Sequence, residues 1–193
     1  MSKPITIEGF EQKFAGDSDP WGTFVIRDEA NKRAAIRHAL GTRMAGRTLE
    51  LACGNGSNSI MLARRTLRLI ACDGAPSAVS LTAERLKKTP NAVVQHCKLP
   101  EGLPRKVFDR MVAAEILYYL SPSDLAKLAC RVGHSLAPGG ELILCHHHLH
   151  FHDAAQDPAR VHDRFRWLLP FRVRPVWHYR NSRWVVERWQ RSR

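Results

Sequence analysis

Short apolar segments alternate with segments of helical periodicity along most of the chain, and this alternation limits the fold more than any other feature. Strands are predicted at residues 48–52, 67–72, 92–96, 108–114 and 141–147, and helices at residues 28–44, 60–63, 76–88 and 123–136. Strands that alternate with helices form βαβ units, in which right-handed crossovers join parallel strands. The sequence therefore predicts an α/β fold built on a parallel sheet.

The C-terminal part of the chain has a different pattern. Two runs rich in Val, Trp and Arg, at residues 171–178 and 183–189, are joined by residues 179–182 and predict a β-hairpin. Because side chains alternate along a strand, one interpretation is a buried aromatic face and a solvated basic face. The other is a nucleic-acid surface, on which arginines neutralise a strand and tryptophans stack on its bases.

Composition and charge narrow the class of protein. A length of 193 residues predicts a single domain, and the formal net charge of +12 is compatible with anionic partners. The five cysteines are an odd number without a Cys-x-x-Cys pair, so we expect buried thiols rather than disulfides or a zinc ribbon. The sequence shows neither an apolar run of membrane-spanning length nor a signal peptide, which predicts a cytoplasmic protein without a membrane partner.

A glycine-bearing turn follows the first predicted strand. Gly54 and Gly56 allow a ligand to approach the backbone, and the helix that follows offers free N–H groups to an anionic group. Asp73 ends the second strand, 19 residues beyond Gly54, where a carboxylate can bind both hydroxyls of a ribose. These features predict a cofactor of the adenosine type. The alternative is a tight connection and a solvated loop Asp73 beside Gly74.

The segment Glu50-Leu51-Ala52-Cys53-Gly54-Asn55-Gly56 resembles the cofactor motif of class I S-adenosylmethionine-dependent methyltransferases, with Ala52 in place of the first glycine. The dinucleotide pattern of nicotinamide-dependent oxidoreductases, a rival hypothesis, would need glycine where Ser59 stands. The resemblance implies a Rossmann-like fold, with a mostly parallel seven-stranded sheet, a reversed last strand and helices on both faces. It also implies S-adenosylmethionine as cofactor and S-adenosylhomocysteine as its product.

A narrower resemblance covers nearly the whole chain. Phe14, the segment 17–22, the segment 115–120 and the segment 161–163 look like the nodulation protein S family. Its members are small methyltransferases, and the namesake methylates the amine of a deacetylated chitooligosaccharide. The residues that these resemblances imply at the cofactor are Trp21, Glu50, Ala52, Gly54, Asn55, Gly56, Asp73, Gly74, Leu99 and Glu115.

Some positions leave alternatives open. Trp21 either closes over the cofactor or anchors the N-terminal arm. Lys98 and Ala159 depart from the family pattern, since each stands where an acid is expected. These two departures, together with Ala52, also suit a non-catalytic relative that binds the cofactor weakly or not at all.

Glu115 follows the fourth strand and is the candidate for orienting or deprotonating an acceptor; the alternative is a structural or cofactor contact. Tyr118 is a candidate wall of the pocket, and His147 and His162 are candidate polar groups at the substrate. The histidine-rich segment 146–152 also suits a solvated loop. A metal site is less favoured, because alternate residues of an extended segment point in opposite directions.

The predicted organisation is one methyltransferase domain at 1–193, with an N-terminal cap at 1–45, a cofactor-binding core at 46–150 and a C-terminal helix and hairpin at 151–193. The predicted reaction is methyl transfer to an amine or hydroxyl of a small molecule, on a sugar-like or natural-product scaffold. The alternative acceptor is RNA or another polyanion, and the sequence leaves the oligomeric state open.

Overall fold

A central β-sheet organises the computed structural model, which describes residues 4–193. Its strands are β1 (Ala45–Leu51), β2 (Thr66–Asp73), β3 (Ala92–His96), β4 (Phe108–Ala114), β5 (Leu136–His147), β6 (Val173–Arg180) and β7 (Trp184–Arg191). The helices of the described residues are α1 (Ile7–Gly16), α2 (Arg27–Leu40), α3 (Ser59–Ala63), α4 (Pro76–Leu86), α5 (Pro122–Ser135) and α6 (Val161–Leu168). A 3-10 turn at Leu117–Tyr119 follows β4.

The strands lie in the order β3-β2-β1-β4-β5-β7-β6. The first five are parallel to one another, whereas β7 runs antiparallel to both β5 and β6. The predicted seven-stranded sheet with a reversed last strand is therefore confirmed. Because the carboxyl ends of β1, β2 and β4 meet at one edge, the turns that follow them are brought together there.

Each face of the sheet is covered by helices, as predicted. Met111 and Ala113 of β4 pack in a core with α5 and α6, and the intervening Val112 packs in a second core with α2, α3 and α4. This division follows from the two-residue repeat of a strand, which sends neighbouring side chains to opposite faces.

The C-terminal hairpin is confirmed, but the prediction of one buried aromatic face is wrong. Trp184 and Trp189 are both buried, and they lie in different cores on opposite faces of the sheet. They are five positions apart, an odd spacing, so the two side chains point in opposite directions. Both strands end two residues later than predicted. Asn181 makes the turn between them by accepting hydrogen bonds from the N–H groups of Arg183 and Trp184, which sets the end of β6.

Two other boundaries differ from the prediction by four or more residues. Helix α2 ends at Leu40 rather than at residue 44, because Gly41 adopts a φ of 65° and Ala45 already begins β1. Strand β5 begins at Leu136 rather than at residue 141, since Leu136 pairs with Phe108 across a register irregularity. The Ala-Pro-Gly-Gly run at residues 137–140 is typical of a loop, so nothing in the sequence indicates that Leu136 pairs with β4.

The five cysteines are free thiols. Cys53, Cys72, Cys97 and Cys145 are buried as expected, whereas Cys130 on α5 is exposed. Over residues 4–193, no helix is both long and apolar enough to span a membrane.

Candidate active site

A cavity of about 500 Å³ lies at the carboxyl edge of the sheet. Its walls come from the turns after β1, β2, β3, β4 and β5, from α1 and the segment after it, and from α2. Of the predicted site residues, the lining includes Trp21, Ala52, Gly54, Asn55, Asp73, Gly74, Leu99, Glu115, Tyr118 and His147. This location is the usual ligand site of an open α/β sheet.

The turn after β1 is tied to the end of β2 through Asp73. One oxygen of its carboxylate accepts a hydrogen bond from Gly54 N–H at 2.8 Å, and the other accepts from Ala75 N–H at 2.9 Å. Gly54 has a φ of 55°, a conformation that glycine adopts without strain. Burial raises the pKa of Asp73, while the backbone hydrogen bonds oppose that change. The carboxylate thus shapes the turn and also lines the cavity.

Asn55 joins this turn to the N-terminal segment. Its side-chain amide donates to Ser18 O at 3.1 Å and to Asp19 Oδ1 at 3.0 Å. The Asp19 carboxylate also accepts hydrogen bonds from the N–H groups of Thr23 and Phe24, at 2.7 and 3.0 Å. The segment is therefore held against the cavity. Asp19 and Thr23 were not among the predicted site residues, although Asp19 lies in the segment that carries the family resemblance.

Trp21 stands on this segment and lines the cavity. Its ring lies 6.0 Å from that of Phe10 and 5.3 Å from that of Phe14, both on α1. The two interpretations of Trp21 are therefore compatible, since the same ring packs against α1 and forms part of the wall.

Glu115 is the centre of the polar side of the cavity. Its Oε2 lies 2.7 Å from His147 Nδ1 and accepts a hydrogen bond from the Tyr118 hydroxyl, and its Oε1 lies 3.5 Å from Lys32 Nζ. Burial would raise the pKa of Glu115, but the hydrogen bond from His147 and the charge of Lys32 lower it to about 2. Glu115 is thus an anion at neutral pH and a poor proton acceptor. The contact puts a proton on His147 Nδ1, so Nε2 is the nitrogen that can accept one.

Lys32 and Glu29 of α2 also line the cavity, and sequence reasoning missed both. Lys32 is only 4% exposed and lies 2.5 Å from Glu29 Oε1. Burial would lower the pKa of Lys32, but the carboxylates of Glu115 and Glu29 outweigh burial and raise it. The only signal in the sequence was a Glu–Lys pair three positions apart, which is common on exposed helices.

The charge of the cavity contrasts with that of the chain. The formal net charge is +12, yet four carboxylates and a single lysine line the cavity within the described residues: Glu29, Asp73, Glu115, Asp153 and Lys32. The cavity therefore favours a cationic ligand over an anionic one.

Three predicted residues lie outside the lining. Glu50 is buried in β1, where it accepts a hydrogen bond from Ser59 Oγ at 2.6 Å. A Cβ atom on Gly56 would meet Thr82 and Arg85 rather than the cavity. His162, on α6, is buried and bonded to His146 and Glu187. These three residues pack beneath the residues that line the cavity and do not face it.

The histidine-rich segment is divided between several environments. His146 is buried in the core, His147 contacts Glu115, and His148 Nε2 lies 2.9 Å from Asn181 O. His150 is exposed at the cavity. Over residues 4–193, no group of three or more His, Cys, Asp or Glu side chains is arranged to hold a metal ion.

The family model of the methyltransferase domain matches residues 48–140. Nodulation protein S of Rhizobium tropici is 31% identical over 134 residues, which cover 65% of this chain and 53% of that protein. The chain thus spans about half the length of this curated relative.

Two solved structures are similar. A protein from Pseudomonas syringae, assigned as a methyltransferase, has a TM-score of 0.74 and 29% identity, with 85% of this chain and 99% of that chain covered. The N-methyltransferase NodS of Bradyrhizobium japonicum, in complex with S-adenosyl-L-homocysteine, has a TM-score of 0.81 and 22% identity, with coverages of 97% and 98%. The second likeness concerns the fold.

Ala52 provides a test of backbone strain at the glycine-bearing turn. Its φ of 53° costs a residue with a Cβ about 1–2 kcal/mol, whereas glycine is free of that strain. Ala52→Gly should therefore raise the free energy of unfolding by about 0.5–1 kcal/mol in urea titrations. The matched control is Ala114→Gly, a cavity-lining strand residue without a positive φ, which should be destabilising. Equal losses in both variants would contradict the interpretation.

Glu50 should make stability depend on pH. Burial raises its pKa from 4.5 to about 8, so the folded chain holds this proton more tightly than the unfolded chain does. Its contribution to stability is complete below about pH 4.5 and is lost as the pH rises to about 8. The free energy of unfolding of Glu50→Gln, relative to that of the wild type, should therefore rise by about 2 kcal/mol or more as the pH is raised from about 5 to about 9. Urea unfolding at each pH measures this difference. The exposed Glu84→Gln is the control, and an unchanged pH dependence in Glu50→Gln would refute the assignment.

Proposed function

We propose that this chain, whose residues 48–140 match the methyltransferase-domain family model and which is similar to nodulation protein S, is an enzyme that uses S-adenosylmethionine to methylate a small-molecule amine. The observation that carries the proposal is the bond between Gly54 N–H and Asp73 at the edge of the cavity. The bond holds a carboxylate, a group suited to binding both hydroxyls of a ribose, beside a turn that a ligand can approach closely, which supports the proposal.

The residues present fit this cofactor. The volume of about 500 Å³ lies within the range of small-molecule sites. Gly54 N–H and Ala75 N–H bond to different oxygens of Asp73, and a carboxylate has about four lone-pair sites, so acceptor capacity is left for the ribose hydroxyls. Trp21 and Leu99 supply apolar wall, and Glu50 supports the turn through Ser59. When bound, S-adenosylmethionine supplies a methyl group activated by a positively charged sulfur.

The acidic lining supports an amine as the acceptor. A protonated amine is attracted by Glu29, Glu115 and Asp153, whereas a phosphate is repelled. Glu115 Oε1 is buried and faces Lys32 Nζ at 3.5 Å, so the Glu115 carboxylate attracts an ammonium group through its charge rather than through a hydrogen bond from this oxygen. These features count against RNA or another polyanion as the acceptor.

His147 is the proposed acceptor for the proton of the amine. An ammonium must lose a proton before its lone pair can attack a methyl group. His147 Nε2 can take that proton, while Glu115 orients the imidazole and stabilises the imidazolium that forms. Glu115 itself, with a pKa of about 2, serves better as an orienting anion than as the base. His162 lies outside the lining and has no direct part in this step.

Calorimetric titration tests the cofactor. We expect both S-adenosylmethionine and S-adenosylhomocysteine to bind, and NAD not to bind. Asp73→Ala should weaken both nucleosides about tenfold or more, since it removes the ribose contact. The control is Asp163→Ala, an exposed carboxylate of α6. If the wild type binds neither S-adenosylmethionine nor S-adenosylhomocysteine, the chain is a non-catalytic relative instead.

Production of S-adenosylhomocysteine tests the acceptor. An oligosaccharide with a free amine should be methylated, and its N-acetylated counterpart should not. His147→Gln should lower kcat about 100-fold or more and leave S-adenosylhomocysteine binding unchanged, because it removes the base but not the cofactor contacts. The exposed His134→Gln is the control. Equal turnover of the free and acetylated oligosaccharides would exclude the amine.

A further inference from the structure

Three polar side chains form a continuous hydrogen-bonded line behind the cavity. His146 Nδ1 lies 2.8 Å from His162 Nε2, and His162 Nδ1 lies 2.7 Å from Glu187 Oε2. His146 is 0% exposed and His162 is 7% exposed. The line crosses from β5 to α6 and returns to the sheet at β7. The methyl-transfer step described above uses none of the three.

One end of this line reaches the backbone of the active site. His146 Nε2 accepts hydrogen bonds from Ile116 N–H at 3.2 Å and from Leu117 N–H at 3.1 Å. These two residues directly follow Glu115, whose φ of 56° is unusual for a residue with a Cβ. A strained residue persists only where its surroundings determine its conformation. His146 supplies part of that determination.

The hydrogen-bond partners assign every proton of the line. Because His146 Nε2 accepts from two N–H groups, its proton must be on Nδ1, from which it is donated to His162 Nε2. His162 then carries its own proton on Nδ1 and donates it to Glu187. Burial would raise the pKa of Glu187, but the hydrogen bond from His162 prevails and lowers it, which keeps an acceptor at the far end. Each imidazole therefore has one tautomer.

We propose that Glu187, His162 and His146 form a positioning relay that holds the turn after Glu115 in its cavity-facing conformation. The relay acts through two contacts. His146 fixes the Ile116 and Leu117 backbone, and its ring also packs edge-on against Tyr118 at 5.3 Å. Tyr118 in turn donates to Glu115. A displaced His146 would therefore move both Glu115 and one of its partners.

The relay differs from a single structural contact because Glu187, at the end distant from the turn, also determines the tautomer of His146. Without Glu187, the Nδ1 proton of His162 has lost its acceptor and the opposite tautomer becomes available. In the reversed line His146 Nε2 would carry a proton. It could then no longer accept the hydrogen bonds that the Ile116 and Leu117 N–H groups now donate to it. A change at Glu187 on β7 should thus be felt at the turn after β4. Its effect on catalysis rests on the proposed function, whereas its geometry does not.

Nitrogen-15 NMR of histidine-labelled full-length chain tests the assignment directly. At neutral pH we expect His146 and His162 each to carry the proton on Nδ1 and none on Nε2. The resonances are assigned with His146→Gln and His162→Gln. A proton on His146 Nε2 in the wild type would overturn the relay.

Amide hydrogen exchange tests the positioning. In His146→Leu the exchange of Ile116 and Leu117 should accelerate about tenfold or more, because both N–H groups lose their acceptor. His146→Gln should restore protection, since its Oε1 can accept in place of Nε2. Glu187→Val should show the same acceleration to a smaller extent, and it serves if His146→Leu does not fold. Protection equal to that of the exposed control His134→Leu, in whichever of the two variants folds, would overturn the relay.

Kinetics then test the link to catalysis. With an amine acceptor, His146→Leu should lower kcat about tenfold and change KM for S-adenosylmethionine far less, because the cofactor contacts stay in place. His146→Gln should recover most of kcat. An unchanged kcat in His146→Leu would reject the catalytic role. If no acceptor is methylated by the wild type, the proposed function fails while NMR and exchange still decide the relay.

Discussion

The cost of partly burying an ionised carboxylate at the cavity wall explains most of the arrangement around it. Glu115 can remain an anion there only if opposite charge and hydrogen-bond donors compensate for lost hydration. Lys32 supplies the charge, and His147 and Tyr118 supply the donors. Lys32 is itself buried and needs Glu29 as a second partner. One half-buried charge is therefore compensated by residues of α2, β5 and the turn after β4.

The parallel sheet makes this recruitment possible. Glu115 follows β4 and His147 ends β5. Helix α2 precedes β1 and lines the same cavity. These groups are far apart in the sequence, yet the pairing of β1 with β4 and of β4 with β5 brings their carboxyl ends into register. Asp73 and the glycine-bearing turn reach the same edge through β1 and β2. Strand order therefore determines which side chains meet at the cavity.

The elements that sequence reasoning predicted well are those with local signals. Strands β3 and β4 were predicted at their observed limits, since their apolar runs have clear ends. The turn with Gly54 and the carboxylate of Asp73 were also predictable, because each carries its chemistry at a strand end. Lys32 was not predictable, because nothing in an ordinary helical segment shows that a lysine will be buried against a carboxylate of another element. The placement of His162 behind the cavity, and the division of Trp184 and Trp189 between two faces, likewise depend on long-range packing.

Strain is concentrated at the same edge of the sheet. Ala52 and Glu115 are the residues other than glycine with positive φ in the described part of the chain, and both line the cavity. Rigid surroundings on each side hold these conformations: the link from Gly54 to Asp73 in one case, and the hydrogen bonds from Ile116 and Leu117 to His146 in the other. The surrounding structure thus pre-organises the ligand-facing backbone.

The adjacent histidines at the end of β5 have a consequence for how this sequence can change. His146 points into one core and His147 into the cavity, because neighbouring strand residues face opposite sides. Inserting or deleting one residue in β5 would shift its register by one and exchange the two faces. The exchange would carry the cavity imidazole into the core and the core imidazole into the cavity. The strand should therefore tolerate substitutions along its length far better than any change in the number of its residues.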